Sequence, residues 1–365
     1  MRIALLGDIA LFGIYSKKNN KDLIRSNLNE VISYLSQFDY VVGNLETPFS
    51  YKKIKHGAKS AYICSEPENV EILKLLHVNA VTLANNHMFD FGNEGYETTK
   101  SLLKKTEIEW FGTEGKELNV EIDGNKLTFS GYCCYSSNPR KCVPFGQYGV
   151  NAYNFAVVKD RMIENDKRGY FNIIAVHAGI EHVNLPSIDH IKVARKFAET
   201  MPYVYYGHHP HVIQGVEEYN GSLIAHSLGN FCFDDVYTDV SKNTPLIELT
   251  ENNRTGLILE LTIENNKVIN WKEQIIHIGK RNEGITLVEA PENIRNYNLE
   301  LKNSEYNIDE FNLKRNSIIN LRMSERKAMR NLSWYLKRFR LRYFLLLITN
   351  RRNANKYRKN IKKWL

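Results

Sequence analysis

Short apolar runs that end in a cluster of polar residues recur six times along the first two thirds of the chain. Apolar and β-branched runs of about four to eight residues are typical of strands buried on both faces of an α/β sheet. The polar clusters therefore lie at strand ends, where α/β folds place their chemistry. The six runs are IALLGD (3–8), YVVGNLETP (40–48), AVTLANNH (80–87), IIAVHAGIEH (173–182), YVYYGHHPH (203–211) and LIAHSLGNF (223–231).

The stretches around these runs predict helices, two hairpins and a distinct C-terminal end, from helical periodicity and turn residues. Helices are predicted over Glu66–His77, Asn93–Lys105 and Pro186–Thr200, and hairpins over Leu118–Tyr132 and over Thr255–Ile263 with Val268–Ile276. We expect one domain over 1–290, then a linker or wrapping segment without clear periodicity over 291–320, and a helical tail over 321–365.

Strands lying side by side would bring the polar clusters together as a mixed set of oxygen and nitrogen donors. The candidate ligands are two carboxylates, one amide and three imidazoles: Asp8, Glu46, Asn86, His177, His209 and His211. Such a set suits divalent Mn, Fe or Zn. Each motif alone could equally be a polar surface turn, but six in order predict a site for one or two divalent ions.

The motifs GDIAL, GNLETP, ANNHMFDFG, HAGIEH, GHHPHVIQG and HSLGNF together resemble the signatures of the CapA-type capsule and poly-γ-glutamate biosynthesis family. That family belongs to the metallophosphoesterase (calcineurin-like) superfamily. The resemblance covers roughly the first 240 residues. It implies an α/β fold, a four-layer αββα sandwich of the metallo-dependent phosphatase type, with a metal site at the strand ends.

The resemblance also implies roles for individual residues. Asp8 matches the first metal aspartate, Glu46 stands where the superfamily usually has a bridging aspartate, and Asn86 matches the amide ligand. His177 matches the isolated strand-end ligand. His209 and His211 fit the His-x-His pair best, although His208 could instead be its first member.

Further residues of the same motifs are candidates for catalysis and substrate binding. His87 matches the histidine that contacts the leaving group, with Asp90 orienting it, and Glu181 is a candidate acid or base with a surface role as the alternative. The remaining candidates are expected to line the substrate pocket: His208, His226, Ser227 and Asn230.

The chain departs from the usual pattern at several positions. Phosphoesterases of this fold open with Asp-x-His, but Asp8 is followed by Ile9 and Ala10. One metal position therefore loses a ligand, and its affinity should fall. In the CapA-type family a tryptophan is usual at the position of Ala178. A glutamine is usual after the Pro-Ser pair, in the place where this chain has His190. These last changes put the family's usual substrate in doubt more than its fold.

Charge is distributed unevenly along the 365 residues. The formal net charge is +8, but 321–365 alone contributes +14, so the rest of the chain carries −6. Aromatic residues interleave with arginine and lysine in this tail, which predicts a basic amphipathic helix that binds an anionic membrane surface or an acidic partner. A helix packed on the body is the alternative. Nucleic acid is an unlikely partner because no recognisable module is present.

The cysteine spacing and the N-terminal residues predict the cellular compartment. Five cysteines without Cys-x-x-Cys spacing indicate reduced thiols in a cytosolic protein. The chain starts directly with a strand, so we expect no signal peptide. The apolar run Tyr343–Ile348 is far shorter than the ~20 residues that cross a bilayer, so we expect no transmembrane helix. The expected location is cytoplasmic, with peripheral binding at the inner membrane face as an option.

Three functions remain open. The first is a metal-dependent hydrolase acting on a phosphoester or amide of an anionic cell-envelope polymer or its precursor. The second is a non-catalytic accessory subunit of a capsule or poly-γ-glutamate assembly machine, working with capsule-assembly proteins. The third is a metal-independent acid/base enzyme such as an epimerase. The missing Asp-x-His histidine favours the second and third, whereas the retained Asn-His and His-x-His pairs favour the first.

Overall fold

The computed structural model describes residues 1–16, 21–56, 59, 61–134, 141–237, 245–280, 283–329 and 341–365. Its strands, in chain order, are β1 (Arg2–Ile9), β2 (Tyr40–Leu45), β3 (Ala80–Thr82), β4 (Glu109–Phe111), β5 (Leu118–Ile122), β6 (Asn125–Cys133), β7 (Cys142–Val143), β8 (Val150–Asn151), β9 (Phe171–His177), β10 (Val204–His208), β11 (Ile213–Tyr219), β12 (Ser222–Leu228), β13 (Asn230–Cys232), β14 (Thr255–Glu264), β15 (Lys267–Ile278) and β16 (Ile285–Val288).

The helices connect these strands and follow the last of them. They are α1 (Lys21–Leu35), α2 (Val70–Leu75), α3 (Gly92–Lys105), α4 (Phe155–Lys167), α5 (Ile188–Ala198), α6 (Glu251–Arg254), α7 (Glu292–Asn303), α8 (Ile308–Met329) and α9 (Leu341–Trp364). Two short 3₁₀ helices cover Gly13–Tyr15 and Pro67–Asn69.

Two large sheets carry the architecture. The first has the order β16-β15-β14-β1-β2-β3-β4, with β13 also paired to β1, and the second has the order β11-β12-β10-β9-β6-β5. Strands β1 to β4 are mutually parallel, as are β6, β9, β10 and β12. Parallel strands of one sheet end at the same edge, so the polar residues that follow them converge there.

Successive side chains of a buried strand point to opposite faces of its sheet, which explains how the sheets and helices form layers. In β1, Ile3 and Leu5 face the core between the two sheets, whereas Ala4 and Leu6 face the helices on the outside of the first sheet. Both faces of such a strand are buried, which is why its sequence is a continuous apolar run. Helices α1 to α3 cover the first sheet, and α4 and α5 cover the second. The predicted four-layer αββα sandwich is confirmed.

The locally patterned elements also match their predictions. The helix predicted over Asn93–Lys105 is α3, the one predicted over Pro186–Thr200 is α5, and both predicted hairpins form, as β5–β6 and β14–β15. The segment 291–320, in contrast, is mostly helical. Helix α7 packs against β11, where Asn298 accepts a hydrogen bond from the Val216 amide at 2.7 Å.

The C-terminal helix packs on the body at its far end. The indole of Trp364 lies 5.3 Å from the ring of Phe197, the Lys196 ammonium donates to the Trp364 carbonyl at 3.1 Å, and Ile361 is buried in the same cluster. Of the aromatic and basic residues that predict the amphipathic tail, those from 332 to 340 lie outside the described residues. Within the described chain, no helix combines the length and the apolar character that a bilayer span needs.

Candidate metal centre

The predicted ligands come from strand ends of both sheets. Asp8 lies at the end of β1, Glu46 directly after β2, Asn86 after β3, and His177 at the end of β9. His209 and His211 follow β10. The two sheets thus present one shared edge at which residues from 8 to 211 meet, as the strand-end argument predicts.

Asp8, Glu46 and His211 form the centre of this site. Each offers one ligand atom, and the three atoms lie within 4.8 Å of one another. His211 Nδ1 is 3.3 Å from Asp8 Oδ2, and its Nε2 is 3.6 Å from Glu46 Oε1. The imidazole therefore lies between the two carboxylates. Although burial alone would lower its pKa, Glu46 and Asp8 raise the pKa of His211 to about 10.

Glu46 is a buried acceptor that lacks a donor. Its side chain is 0% exposed, and within the described chain neither carboxylate oxygen receives a hydrogen bond. Besides His211, the Nε2 atoms of His87 and His177 lie 3.9 and 4.0 Å from Oε1. Burial raises the pKa of Glu46 to about 8, with His211 opposing this and Asp8 adding to it. A buried carboxylate is costly unless it is paired or coordinates a metal.

The other predicted ligands close around this centre. His177 Nε2 is 3.0 Å from Asn86 Oδ1, and the His177 and His209 rings lie 4.8 Å apart. Nδ1 of His209 is buried and has no hydrogen-bond partner among the residues that the structure describes. Burial lowers the pKa of His209 to about 4. A neutral imidazole with a bare nitrogen is the form that binds metals.

Unusual backbone geometry places the two loop imidazoles. His209 has φ of 93° and His211 has φ of 56°, a region that residues with a Cβ seldom adopt. Such strain is kept where the surrounding structure enforces it, commonly at functional sites. The His209 amide donates to Asp8 Oδ2 at 3.3 Å, and the Asn253 amide group donates to the His211 carbonyl at 2.8 Å. These contacts hold the loop against β1 and α6.

His87 belongs to a second, connected cluster. Its Nδ1 is 2.7 Å from Asp90 Oδ2, as predicted for an oriented imidazole, while its Nε2 faces Glu46. The Lys59 ammonium lies 2.6 Å from Asp90 Oδ1 and 3.0 Å from His87 Nδ1, and it donates to the Asn86 carbonyl at 2.7 Å. Burial and then Lys59 lower the pKa of His87, against the pull of Asp90.

Three of the residues expected to line the substrate pocket are buried side chains that contact other parts of the protein. His208 is 0% exposed, with Nδ1 3.3 Å from Asp8 Oδ1 and its ring against Tyr206. His226 is buried with its Nε2 3.2 Å from Glu217, on the helix-covered face of β12. Ser227 is fully buried and donates to the Val212 carbonyl.

Asn230 and Glu181 border the centre. Asn230 Oδ1 is 2.9 Å from His211 Nδ1, so this buried amide orients the ligand imidazole. Glu181 is partly exposed and forms an ion pair with Arg326 of α8, with 3.0 Å between Oε2 and Nη2. Partial burial would raise the pKa of Glu181, but His209, His182 and His211, with Arg326, lower it to about 2.

Two residues that support the metal centre were not predicted from the sequence. Asn44 donates to Asp8 Oδ1 at 2.7 Å and accepts from Asn85 at 3.1 Å. Its place two residues before Glu46 in GNLETP is a signal that could have identified it. Asn253 lies 2.7 Å from His182 Nδ1 as well as holding the His211 carbonyl. It comes from the four-residue helix α6, where no local pattern marks it.

The residues present fit a divalent cation. Two fully buried carboxylates, one of them without hydrogen bonds in the described chain, call for a positive charge between them. The imidazoles and the Asn86 amide oxygen supply the neutral donors that Mn, Fe or Zn accept. A four-layer αββα sandwich with this donor set at its strand ends defines a protein of the metallo-dependent phosphatase fold class.

The chain belongs to the bacterial capsule synthesis protein family PGA_cap, whose model matches residues 2–235. It is 26% identical over 268 residues to the PGA biosynthesis protein CapA of Bacillus subtilis (strain 168), covering 69% of this chain and 68% of that protein. The Capsule biosynthesis protein CapA of Bacillus anthracis is also 26% identical, over 262 residues that cover 68% of this chain and 63% of that protein. Among solved structures, a hypothetical protein from Thermus thermophilus is similar, with a TM-score of 0.45 and 16% identity, over 75% of this chain and 98% of that one.

Proposed function

We propose that this capsule-family protein is a metal-dependent hydrolase that acts on a phosphoester or amide of an anionic envelope polymer. The observation that carries the proposal is Glu46, fully buried, without a hydrogen bond among the described residues, and surrounded by three imidazoles within 4.0 Å. A divalent ion in such a site polarises the oxygen of a scissile group and lowers the pKa of water towards neutrality.

The chain's own residues divide the remaining work. The residues that would hold one or two ions are Asp8, Glu46, Asn86, His177, His209 and His211. His87 would carry a proton on Nε2, which faces the centre, and pass it to the leaving group. Asp90 fixes the ring through Nδ1, and Lys59 fixes Asp90. Burial and Lys59 lower the pKa of His87, whereas Asp90 opposes them by favouring the doubly protonated ring from which Nε2 can donate.

A non-catalytic accessory subunit is the second candidate, and one observation favours it. Ala10, where phosphoesterases have a histidine, is 0% exposed and packs with Ile63 and Phe233 in an apolar cluster. Apolar packing therefore fills the position of the missing ligand. A site so reduced could hold one ion for binding or assembly without turnover.

We also propose that α9 contacts an anionic membrane surface or an acidic assembly partner. The helix turns Tyr357, Ile361 and Trp364 towards the body, while the cationic side chains described from residue 351 onwards are exposed. Those exposed cations are Arg351, Arg352, Lys356, Arg358, Lys359, Lys362 and Lys363. A packed helix with a solvent-facing cationic side meets the electrostatic requirement for peripheral binding.

A hydrolysis assay that compares the wild-type protein with the His87→Ala variant tests the proposed function. The manganese-loaded protein is assayed on an aryl phosphodiester and on a glutamate oligomer, with release of phenol or free amine measured. We expect turnover by the wild-type protein, and a loss of about 10²-fold or more in His87→Ala with its metal content retained. Equal turnover in both proteins would refute the role of His87. Metal binding without turnover on either substrate class would favour the accessory subunit.

A further inference from the structure

Helix α8 lies outside the part of the chain that the family model matches, yet it packs beside the candidate site. Residues spaced by three and four form one face of this helix: Phe311, Arg315, Ile318, Arg322 and Arg326. The face is apolar at the start of the helix, where buried Phe311 packs with Leu185 and Ile191. It is cationic towards the end.

The cationic end of this face meets the loop that follows the ligand His177. Arg315 Nε donates to the Leu185 carbonyl at 3.2 Å, which fixes the helix to the loop. Three turns further on, Arg326 Nη2 is 3.0 Å from Glu181. The amide of the next residue, His182, donates to the Pro210 carbonyl at 2.6 Å, and the rings of His182 and His211 lie 6.3 Å apart. Arg326 is thus paired with the segment that contacts the loop of His209 and His211.

Arg322 lies one turn before Arg326 and is incompletely paired. Its Nη1 is 3.3 Å from Glu325, itself a largely exposed side chain, and its Nε is buried without a hydrogen-bond partner in the described part of the chain. The side chains of Arg322 and Arg326 are 23% and 48% exposed, so solvent reaches both. A buried guanidinium nitrogen without an acceptor is a costly arrangement that an anionic ligand would relieve.

We propose that Arg322 and Arg326 bind an anionic group of the substrate beside the reacting bond, so that α8 determines the specificity of the site. This inference rests on the proposed function and adds a specificity element to it. Guanidinium groups bind carboxylate or phosphate oxygens through paired, charge-assisted hydrogen bonds. Both arginines belong to 321–365, which carries +14 whereas the rest of the chain carries −6, so the cations of this segment supply the attraction for an anion.

Binding to two labelled probes tests the proposal, independently of turnover. The full chain is titrated into a fluorescein-labelled glutamate oligomer and, separately, into a labelled polyphosphate of equal charge, and anisotropy is recorded. Arg326→Gln is compared with Lys327→Gln, which removes the same charge from the next, exposed position of α8. We expect Kd to rise about tenfold for Arg326→Gln, and about a hundredfold for Arg322→Gln/Arg326→Gln, with Lys327→Gln close to wild type.

Two further measurements separate the possible outcomes. Arg326→Lys should restore part of the affinity, and thermal unfolding should show that each variant is folded. A preference for glutamate over polyphosphate would identify a carboxylate as the bound group, and the reverse a phosphate. Equal weakening by Arg326→Gln and Lys327→Gln, or no weakening by the double variant, would overturn the proposal. Arginine-dependent binding without hydrolysis would leave this inference standing and remove the proposed function instead.

Discussion

Replacing Glu46 with glutamine is expected to stabilise the metal-free protein, by an amount that grows with pH. Burial raises the pKa of Glu46 from 4.5 to about 8, against the influence of His211. In the unfolded chain this carboxyl ionises at its ordinary pKa, so between pH 4.5 and 8 the native state holds a proton that the unfolded state has lost. The stability of the wild-type protein therefore falls as pH rises through this window.

The size of the effect follows from the pKa difference. One pKa unit corresponds to about 1.4 kcal/mol, so the penalty is ~3 kcal/mol at pH 7 and levels off near ~5 kcal/mol above pH 8. Glutamine has nearly the same shape and does not titrate. The free energy of unfolding of Glu46→Gln should therefore exceed that of the wild-type protein by ~3 kcal/mol at pH 7, and by little below pH 4.5.

Urea unfolding in the presence of a chelator, followed by circular dichroism across this pH range, measures the difference. Glu66→Gln is the matched control: burial would raise the pKa of Glu66, but the hydrogen bonds it accepts and the charge of Lys53 together lower it. Glu66→Gln should be less stable than the wild-type protein by an amount that stays nearly constant above the ordinary pKa of 4.5 and shrinks only below it, opposite in sign to the effect of Glu46→Gln. If Glu46→Gln destabilises the protein at pH 7, or if its effect does not vary with pH, the reasoning about the buried carboxylate is wrong.

Two other substitutions test the packing of the tail and the placement of His226. Trp364→Ala should lower the free energy of unfolding by about 3 kcal/mol, since the indole packs between Phe155 and Phe197. Lys362→Ala, at an exposed position, is the control. Equal unfolding curves for the Trp364→Ala and Lys362→Ala variants would contradict the docking of α9. His226→Gln should lower the free energy of unfolding through its lost contact with Glu217 and leave the KM of any hydrolysed substrate unchanged. A raised KM with unaltered stability would instead support a place for His226 in the substrate pocket.

The strand-end residues were predictable because a local pattern and a topological rule both apply to them. Continuous apolar runs such as 3–6 and 173–176 identify strands buried on both faces. Parallel pairing then requires their polar ends to meet. This is why Asp8 and His177 lie at one edge although they are far apart in sequence.

The rest of the site depends on contacts that leave no local pattern. Along β12 neighbouring side chains point to opposite faces, so the motif HSLGNF does not show that His226 faces the helices, together with Ile224. Asn253 reaches the site only because β14 pairs with β1. Helix α7 buries just Ile294 and Leu301, seven residues apart, which is too sparse a stripe to predict a helix.

The most direct test of the metal centre is the metal content of the full chain, purified without chelators and measured by plasma mass spectrometry. The comparison protein is His209→Ala/His211→Ala. It lacks the His211 imidazole beside Glu46 and the His209 imidazole beside His177. We predict near-stoichiometric manganese, iron or zinc in the wild-type protein and its loss in the double variant. Absence of metal from the wild-type protein, even after loading with excess manganese or zinc, would contradict the account and leave these residues as acid/base or binding groups.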